Sequence, residues 1–374
     1  MKRVYLEQNV REAAVERINW LYDEFPAVVV NTSGGKDSTV AVELTLEVAR
    51  ERDRLPLDVM FIDQEAEWQS AVEYVRRTAD RPEIRMHWLQ VPMRISNATS
   101  QSEPWLYCWK EGEEWVRPKE PDSIHENVYG TLTFADLFQE FLALHANPPA
   151  CFIGGVRCEE SPARALGLTS YETFKGETWG KRHKRKGYFD FYPLYDWRHS
   201  DVWHAIEEGG WDYASVYDTM YQMGVPVTKM RVSNLHHGPA LADLFLVQEI
   251  EPETWDRLSG RLAGVNAAGH LNWSAFKVND LPPMFRSWVE YRDYLLDHLL
   301  PENDPEIGDR LRRTFARFDV RYAHDPVVYT KLIKTEIGCI LLGDYFGTKL
   351  TVFEAANLGK SKNRGKLSGR TTLE

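Results

Sequence analysis

The chain is poor in cysteine: Cys108, Cys151, Cys158 and Cys339 are the four thiols of its 374 residues, and none forms a Cys-x-x-Cys pair. That spacing excludes zinc ribbons and the usual iron–sulfur ligand sets. No apolar run approaches the length that crosses a bilayer, which excludes a helical membrane protein. The opening residues, Met1 to Gln8, turn polar at once and offer no signal-peptide core. A reducing cytoplasm is the expected location. Positive charge is also in deficit. A formal net charge of −11 argues against a surface that coats nucleic acid, though a local basic patch stays open. The common P-loop, Gly-x-x-x-x-Gly-Lys-Ser/Thr, is missing as well.

What is there begins with a length sufficient for two domains, or for one domain with a large appendage. Hydrophobic residues make up 43% and charged residues 27%, the balance of a globular chain. The 13 tryptophans point to an aromatic-rich core. The most informative stretch runs from Val28 to Ala41. Ala27 to Val30 is a short apolar run rich in β-branched residues, as in a central strand. Gly34 and Gly35 follow, bringing backbone amides close to a bound group. Lys36 adds a positive charge, and Asp37 and Ser38 fall in the first turn of the next helix. Free amides and the helix dipole there favour an anion. Strand, loop and helix form a phosphate cradle.

The rest of the chain's first half keeps the same rhythm. A helix is expected over residues 9–24, a second over about 37–52, a strand over Leu57–Ile62, a helix over Glu67–Thr78 and a strand over Arg85–Val91. Further on, a helix over Phe134–Ala146 precedes a strand over Ala150–Ile153. Alternation at these lengths predicts an α/β fold, a parallel twisted sheet flanked by helices, with ligands at the carboxyl ends of the strands. Ser33–Ser38 and Asp63–Glu65 both fall at such ends. The pattern lapses over about 95–130, which is polar and carries Trp105, Trp109 and Trp115. This insertion reads either as a lid beside the site or as an excursion packed by its own aromatics. A strand, a turn and a helix start are expected over Phe191–Trp203, with Ser200 or Asp201 as the cap. From about Leu235 the pattern is mainly helical, clearest over 241–248, 255–262, 285–300 and 309–318.

Other residues add chemistry to the cradle. Gly154 and Gly155 turn the chain off a buried strand, and Arg157 and Arg164 follow. Arginine engages two oxygens of a phosphate or sulfate at once. Glu160 stands between them, placed to orient the arginines or to hold metal; as isolated residues, the three read equally as a surface ion-pair cluster. Asp63, ending the second strand, is a candidate for Mg²⁺ or a ribose hydroxyl, its alternative being a solvated acidic loop residue. Cys158 beside Arg157 is either an activated sulfur carrier or a packed bystander. Cys339, in the apolar run Gly338–Leu342, reads as structural. Lys181-Arg182-His183-Lys184-Arg185-Lys186 is a dense basic run flanked by Trp179, Tyr188 and Phe189. It reads either as a solvated loop or as a contact for nucleic acid or a polyphosphate.

Ser33-Gly34-Gly35-Lys36-Asp37-Ser38 after an apolar strand resembles the PP-loop of the ATP pyrophosphatases. With Gly155-Val156-Arg157, Glu160-Ser161, Arg164, Pro193-Leu194-x-x-Trp197 and Asp201-Val202-Trp203, the chain over about 25–235 resembles the phosphoadenosine phosphosulfate reductase family. Val225-Pro226 and Met230-Arg231-Val232-Ser233 are further similar to its immunoglobulin-binding regulator A branch, which carries an extra C-terminal region. The resemblance implies an adenine-nucleotide alpha hydrolase-like fold that binds ATP, with Mg²⁺, at the sheet's carboxyl edge. It implies cleavage between the α and β phosphates, adenylation of an unidentified acceptor and release of pyrophosphate, in sulfur transfer as one option. Ser33, Gly34, Gly35, Lys36, Asp37, Ser38, Asp63, Arg157 and Arg164 are then the nucleotide-binding set, and Lys36, Asp37, Arg157 and Glu160 the catalytic candidates. The family's reductases attack sulfur with a cysteine in Glu-Cys-Gly-x-His near the C-terminus, and this chain has no such sequence. Two alternatives stay open: a sensor of nucleotide or phosphosulfate acting through a partner protein or DNA, and a reductase with a non-standard thiol. The expected organisation is a nucleotide-binding domain over 1–234, a mainly helical domain over 235–358 and a flexible basic tail over 359–374.

Overall fold

A computed structural model describes residues 6–100, 103, 105–232, 234–236, 244–266, 280–300, 305–345 and 347–357. The basic tail, Ser233 and the first residues of the helix expected over 241–248 lie outside the described residues. Helix α1 (Val10–Glu24) opens on a capping box in which Asn9 and Glu12 satisfy each other's amides. Strand β1 (Ala27–Thr32) leads into α2 (Lys36–Glu51), then β2 (Leu57–Ile62), α3 (Gln69–Ala79) and β3 (Ile84–Leu89). After the insertion come α4 (Phe134–His145), β6 (Ala150–Ile153), α5 (Pro162–Thr169), β7 (Gly180–Arg182), β8 (Tyr188–Phe191), α6 (His199–Gly209) and α7 (Val216–Gln222).

The six-stranded sheet has the order β3-β2-β1-β6-β8-β7. All pairings are parallel except β7 with β8, which is antiparallel. The expected α/β architecture is therefore present, with β7 as a short antiparallel edge. Strand β1 is central because Val28, Val29 and Val30 bury both of its faces. Full burial of each such side chain contributes about 1.5–3 kcal/mol. One face packs on α1 and α2 through Ile18, Leu21, Leu44 and Val48. From β1 the chain steps to β2 on one side and later to β6 on the other. The carboxyl ends of β1 and β6 thus flank a topological switch point, where open α/β sheets form their ligand crevice.

The Pro193-Leu194-x-x-Trp197 signature ties α1 to this sheet. Trp197 is buried and its indole N–H donates to the Val10 carbonyl at 2.9 Å. Arg17 donates to the Pro193 carbonyl at 2.7 Å and grips Asp196 with both terminal nitrogens. In α6 the backbone N–H of Arg198 donates to the Asp201 carboxylate at 2.7 Å, so Asp201 closes the first turn from inside the helix.

The insertion is more ordered than its composition suggests. Strands β4 (Met93–Ser96) and β5 (Trp105–Cys108) pair as a two-stranded sheet. Two compact units emerge from the contacts. One comprises Met1–Ile95, Tyr107–Leu235 and Phe245–Arg261; the other comprises Ser96–Leu106, His236–Leu244 and Leu262–Glu374. Residues 245–261 join the first unit for a specific reason. The Glu251 carboxylate accepts from the backbone of Gln69 and Ser70 at 2.7 and 2.9 Å, capping α3, whose own N-cap residue Trp68 has no acceptor. This segment contains most of α8 (Leu244–Ile250) and α9 (Pro252–Arg261). The second unit is built on α10 (Trp288–His298), α11 (Pro305–Tyr322), α12 (Pro326–Leu341) and α13 (Thr348–Asn357), around Ile307, Leu311, Phe315, Leu332 and Ile337. No helix among the described residues is long and apolar enough to cross a membrane.

Candidate functional site

The loop from β1 to α2 is held by its own hydroxyls. The Ser38 hydroxyl donates to the Gly35 carbonyl at 2.8 Å and accepts the Ser33 N–H at 3.2 Å. Thr32 Oγ1 accepts the Gly34 N–H at 3.2 Å. Gly34 adopts φ +71°, a left-handed conformation that a side chain resists. Gly35 is the N-cap of α2 and has no side-chain acceptor, so the first amides of that helix remain to be used by other groups.

Strand β6 delivers the second half of the site. A Cβ placed on Gly155 would lie 2.6 Å from the Asp37 carbonyl carbon and oxygen and 2.7 Å from the Ser38 nitrogen. Only glycine lets the two backbones touch there. Arg157, just beyond, is buried and its Nε donates to Asp37 Oδ1. Its Nη1 donates to Glu159 at 3.0 Å, and Glu159 also accepts the His199 N–H at 2.6 Å. Glu160 accepts the Arg157 N–H at 2.8 Å with one oxygen and Arg164 Nη1 with the other. Asp37 therefore links Lys36, at 3.0 Å, to Arg157. Arg164 is linked only through Glu160 and is largely exposed. Cys158 is half-buried, with its backbone N–H on the Tyr195 carbonyl at 2.8 Å.

Lys36 itself is enclosed. Its Nζ donates to the Met230 carbonyl at 3.4 Å and lies 5.5 Å from the centroid of the Tyr217 ring. The Tyr217 hydroxyl accepts the Lys36 backbone N–H at 3.2 Å. Burial raises the Tyr217 pKa, so that group stays a phenol. Neither Tyr217 nor Met230 was identifiable from sequence as a site residue, because each lies almost two hundred residues from the loop it touches.

Asp63 is tightly surrounded. It is buried, with no exposed surface, and four donors converge on its carboxylate. These are Trp88 Nε1 at 2.8 Å, Gln90 Nε2 at 2.9 Å, Arg117 Nη2 at 2.5 Å and the Glu65 N–H at 3.0 Å. Three of these donors share Oδ2 and one sits on Oδ1, so Asp63 anchors the residues around it. Glu65 does the same work, accepting Trp109 N–H at 2.8 Å, Val116 N–H at 3.2 Å and Arg261 Nε at 2.8 Å. Residues 109–117 of the insertion are thereby fastened to the end of β2. Beside them Glu67 is buried, and desolvation, then the Asp63 charge, push its pKa up to about 8. No group of three or more His, Cys, Asp or Glu side chains among the described residues is arranged to hold a metal ion.

Four of the six side chains of the basic run have an acidic partner. Lys181 and His183 pair with Asp190 at 2.9 and 2.8 Å, Lys184 with Asp136 at 3.0 Å and Arg185 with Glu140 at 3.3 Å. Cys108, Cys151 and Cys339 are buried, and desolvation raises each thiol pKa, which leaves them unreactive.

A parallel sheet with a phosphate-type strand–loop–helix at its switch point defines a nucleotide-binding α/β protein of the PP-loop class. The chain belongs to the phosphoadenosine phosphosulfate reductase domain family, whose model matches residues 27–224, more than half of the chain. A second family model, described only as a domain of unknown function, matches residues 224–318. The chain is 31% identical over 320 residues to the uncharacterized protein YbdN of Escherichia coli K12, covering 81% of this chain and 78% of that one. Among solved structures it is similar to the phosphoadenylyl-sulfate reductase of Candida auris in a phosphate complex, at 18% identity and a TM-score of 0.36, over 62% of this chain and 90% of that one. The U34-tRNA thiolase NcsA of Methanococcus maripaludis matches at 12% identity and a TM-score of 0.31, over 74% and 86% of the two chains. Family membership rests on the sequence matches, and the fold on the strand order described above.

Proposed function

We propose that the chain binds ATP at the carboxyl ends of β1 and β6 and cleaves it between the α and β phosphates. An acceptor nucleophile attacks the α phosphorus, the bond to the β-phosphate oxygen breaks, and pyrophosphate leaves. The Gly35 amide, the Lys36 amide once Tyr217 releases it, and the Ser33 and Ser38 hydroxyls receive the pyrophosphate; Lys36 and Arg157 offset the charge that develops on it. Asp37 and Glu160 hold those cations in place, and Arg164 serves an outer phosphate. The observation that carries this reading is Asp37 joining Lys36 to Arg157 at the start of α2, which sets two cations at a helix N-terminus.

Magnesium finds few free carboxylate oxygens here, since Asp63 Oδ2 takes three protein donors and Asp37 is shared between two cations. It would arrive on the triphosphate, as it commonly does in such sites. The acceptor belongs to sulfur transfer if Cys158, the one cysteine of the four that is not fully buried, serves as a carrier. Phosphorus NMR of ATP and Mg²⁺ mixed with the protein and a small-molecule cell extract tests the reading. Pyrophosphate is expected together with an adenylated acceptor, or with AMP once a second nucleophile or water displaces it, and Lys36→Ala should abolish these products while leaving the fold intact. ADP and phosphate as the only products would refute it. A second reading, a module that senses nucleotide or phosphosulfate without turnover, is favoured by the existing engagement of Lys36 with Tyr217 and Met230. It predicts binding of ATP and an unchanged nucleotide after prolonged incubation.

A further inference from the structure

At the opposite end of the sheet, where β1, β2 and β3 begin, there is a cavity of about 260 Å³. At roughly 30 Å³ per water-sized group it has room for eight or nine such groups. Its apolar walls include Pro26, Ala27 and Pro56. Its polar groups come from four elements. Asp58 on β2 is already committed, to His87 at 2.8 Å and Arg85 at 3.2 Å. Arg54 is different. It donates to the Pro26 carbonyl at 2.8 Å and lies 5.3 Å from the Tyr22 ring centroid, yet no carboxylate of the described residues pairs with it. His145, in the last turn of α4, stacks 4.4 Å from Phe141 with no hydrogen bond from its ring among the described residues. Burial, and then the neighbouring His87, hold His145 below the usual histidine pKa, while burial keeps Tyr22 a phenol.

Two arginines face one aspartate, so the cavity carries one positive charge in excess, within a chain of net charge −11. We propose that this cavity binds a small organic carboxylate, with the anion on Arg54 and the Tyr22 hydroxyl and the apolar body against Pro26 and Pro56. A single surplus charge matches a monoanion, and the apolar wall matches a hydrocarbon body that inorganic phosphate lacks. The site is independent of the ATP-cleaving reading, because none of these residues belongs to the phosphate loop.

Calorimetric titration of the full chain with benzoate, benzamide and inorganic phosphate is the test, with amide and ring shifts followed by NMR. Benzoate should bind with shifts at Tyr22 and His145, and benzamide about tenfold or more weakly, the loss expected of a charge-assisted contact. Arg54→Gln, an exposed and structurally tolerant change, should weaken benzoate by a similar factor and leave ATP binding unaltered. Lys36→Ala should do the reverse. The proposal is overturned by equal binding of benzoate and benzamide, or by phosphate competing as well as benzoate. It is equally overturned by shifts centred on Ser33–Ser38, by an indifferent Arg54→Gln variant, or by no binding at millimolar benzoate.

Discussion

Gly155→Ala is the sharpest probe of the site, because one methyl group reaches both halves of it. The added Cβ would meet the Asp37 carbonyl carbon and oxygen at 2.6 Å and the Ser38 nitrogen at 2.7 Å. These are backbone atoms in the first turn of α2 and cannot swing aside as a side chain would. Restoring ordinary contact requires the β6 turn and the start of α2 to separate by about 0.8 Å, the difference between 2.6 Å and an ordinary 3.4 Å. Overpacking of that kind costs about 1–3 kcal/mol. Displacing the loop by nearly 1 Å relative to Arg157 should cost about a hundredfold in ATP turnover. Gly167→Ala is the matched control, since nothing lies within 4 Å of its Cβ position inside α5. It should be neutral or gain up to about 1 kcal/mol. Urea unfolding measures the first quantity, and ATP titration with product analysis the second. A Gly155→Ala variant as stable and as active as Gly167→Ala would show that the two backbones are not in contact in solution.

Further expectations follow from individual contacts. Tyr217→Phe removes the acceptor of the buried Lys36 N–H and should destabilise the free protein by about 1–3 kcal/mol. ATP, by supplying a phosphate oxygen to that amide, should raise its melting temperature more than it raises that of the wild type; an equal rise would count against the loop amide as a phosphate donor. In the helical unit, Arg292 donates to the fully buried Glu336 at 2.8 Å. Arg292→Met should therefore cost about 3–5 kcal/mol in urea unfolding, and the Arg292→Met, Glu336→Leu double variant should recover most of it. Glu67, with its pKa raised from 4.5 to about 8, holds a proton in the folded state that the unfolded chain releases. Stability should then fall as pH rises from about 4.5 to about 8, and more steeply in the wild type than in Glu67→Gln; parallel profiles would place Glu67 in water. Replacing Lys181, Lys184 and Arg185 by Gln should leave any DNA affinity little changed, because their charges are already paired with Asp190, Asp136 and Glu140. A large loss in a gel-shift titration would contradict that pairing.

The sheet was legible because its strands are short β-branched runs separated by helical repeats, and burial on both faces leaves such runs no other use. The strand–loop–helix was legible because Gly34 declares a local backbone requirement and Ala27 to Val30 a buried strand. The surroundings of Asp63 were not legible, for the opposite reason. A carboxylate at a strand's end looks available until Trp88, Gln90 and Arg117 are brought to it, and the last of these lies in a stretch whose sequence has no regular period. The closure of Lys36 was likewise invisible, since it is made by a phenol and a carbonyl from the far end of the unit. These two missed features bear on one question. With three donors on Asp63 Oδ2, the end of the second strand is held rigid, and in the proposed reading the phosphate contacts fall to β1 and β6. The Lys36 amide cannot serve phosphate and phenol together, so in the proposed reading ATP displaces the tyrosine's hydrogen bond. The cost of that exchange is a property of the protein that a motif of six residues does not carry.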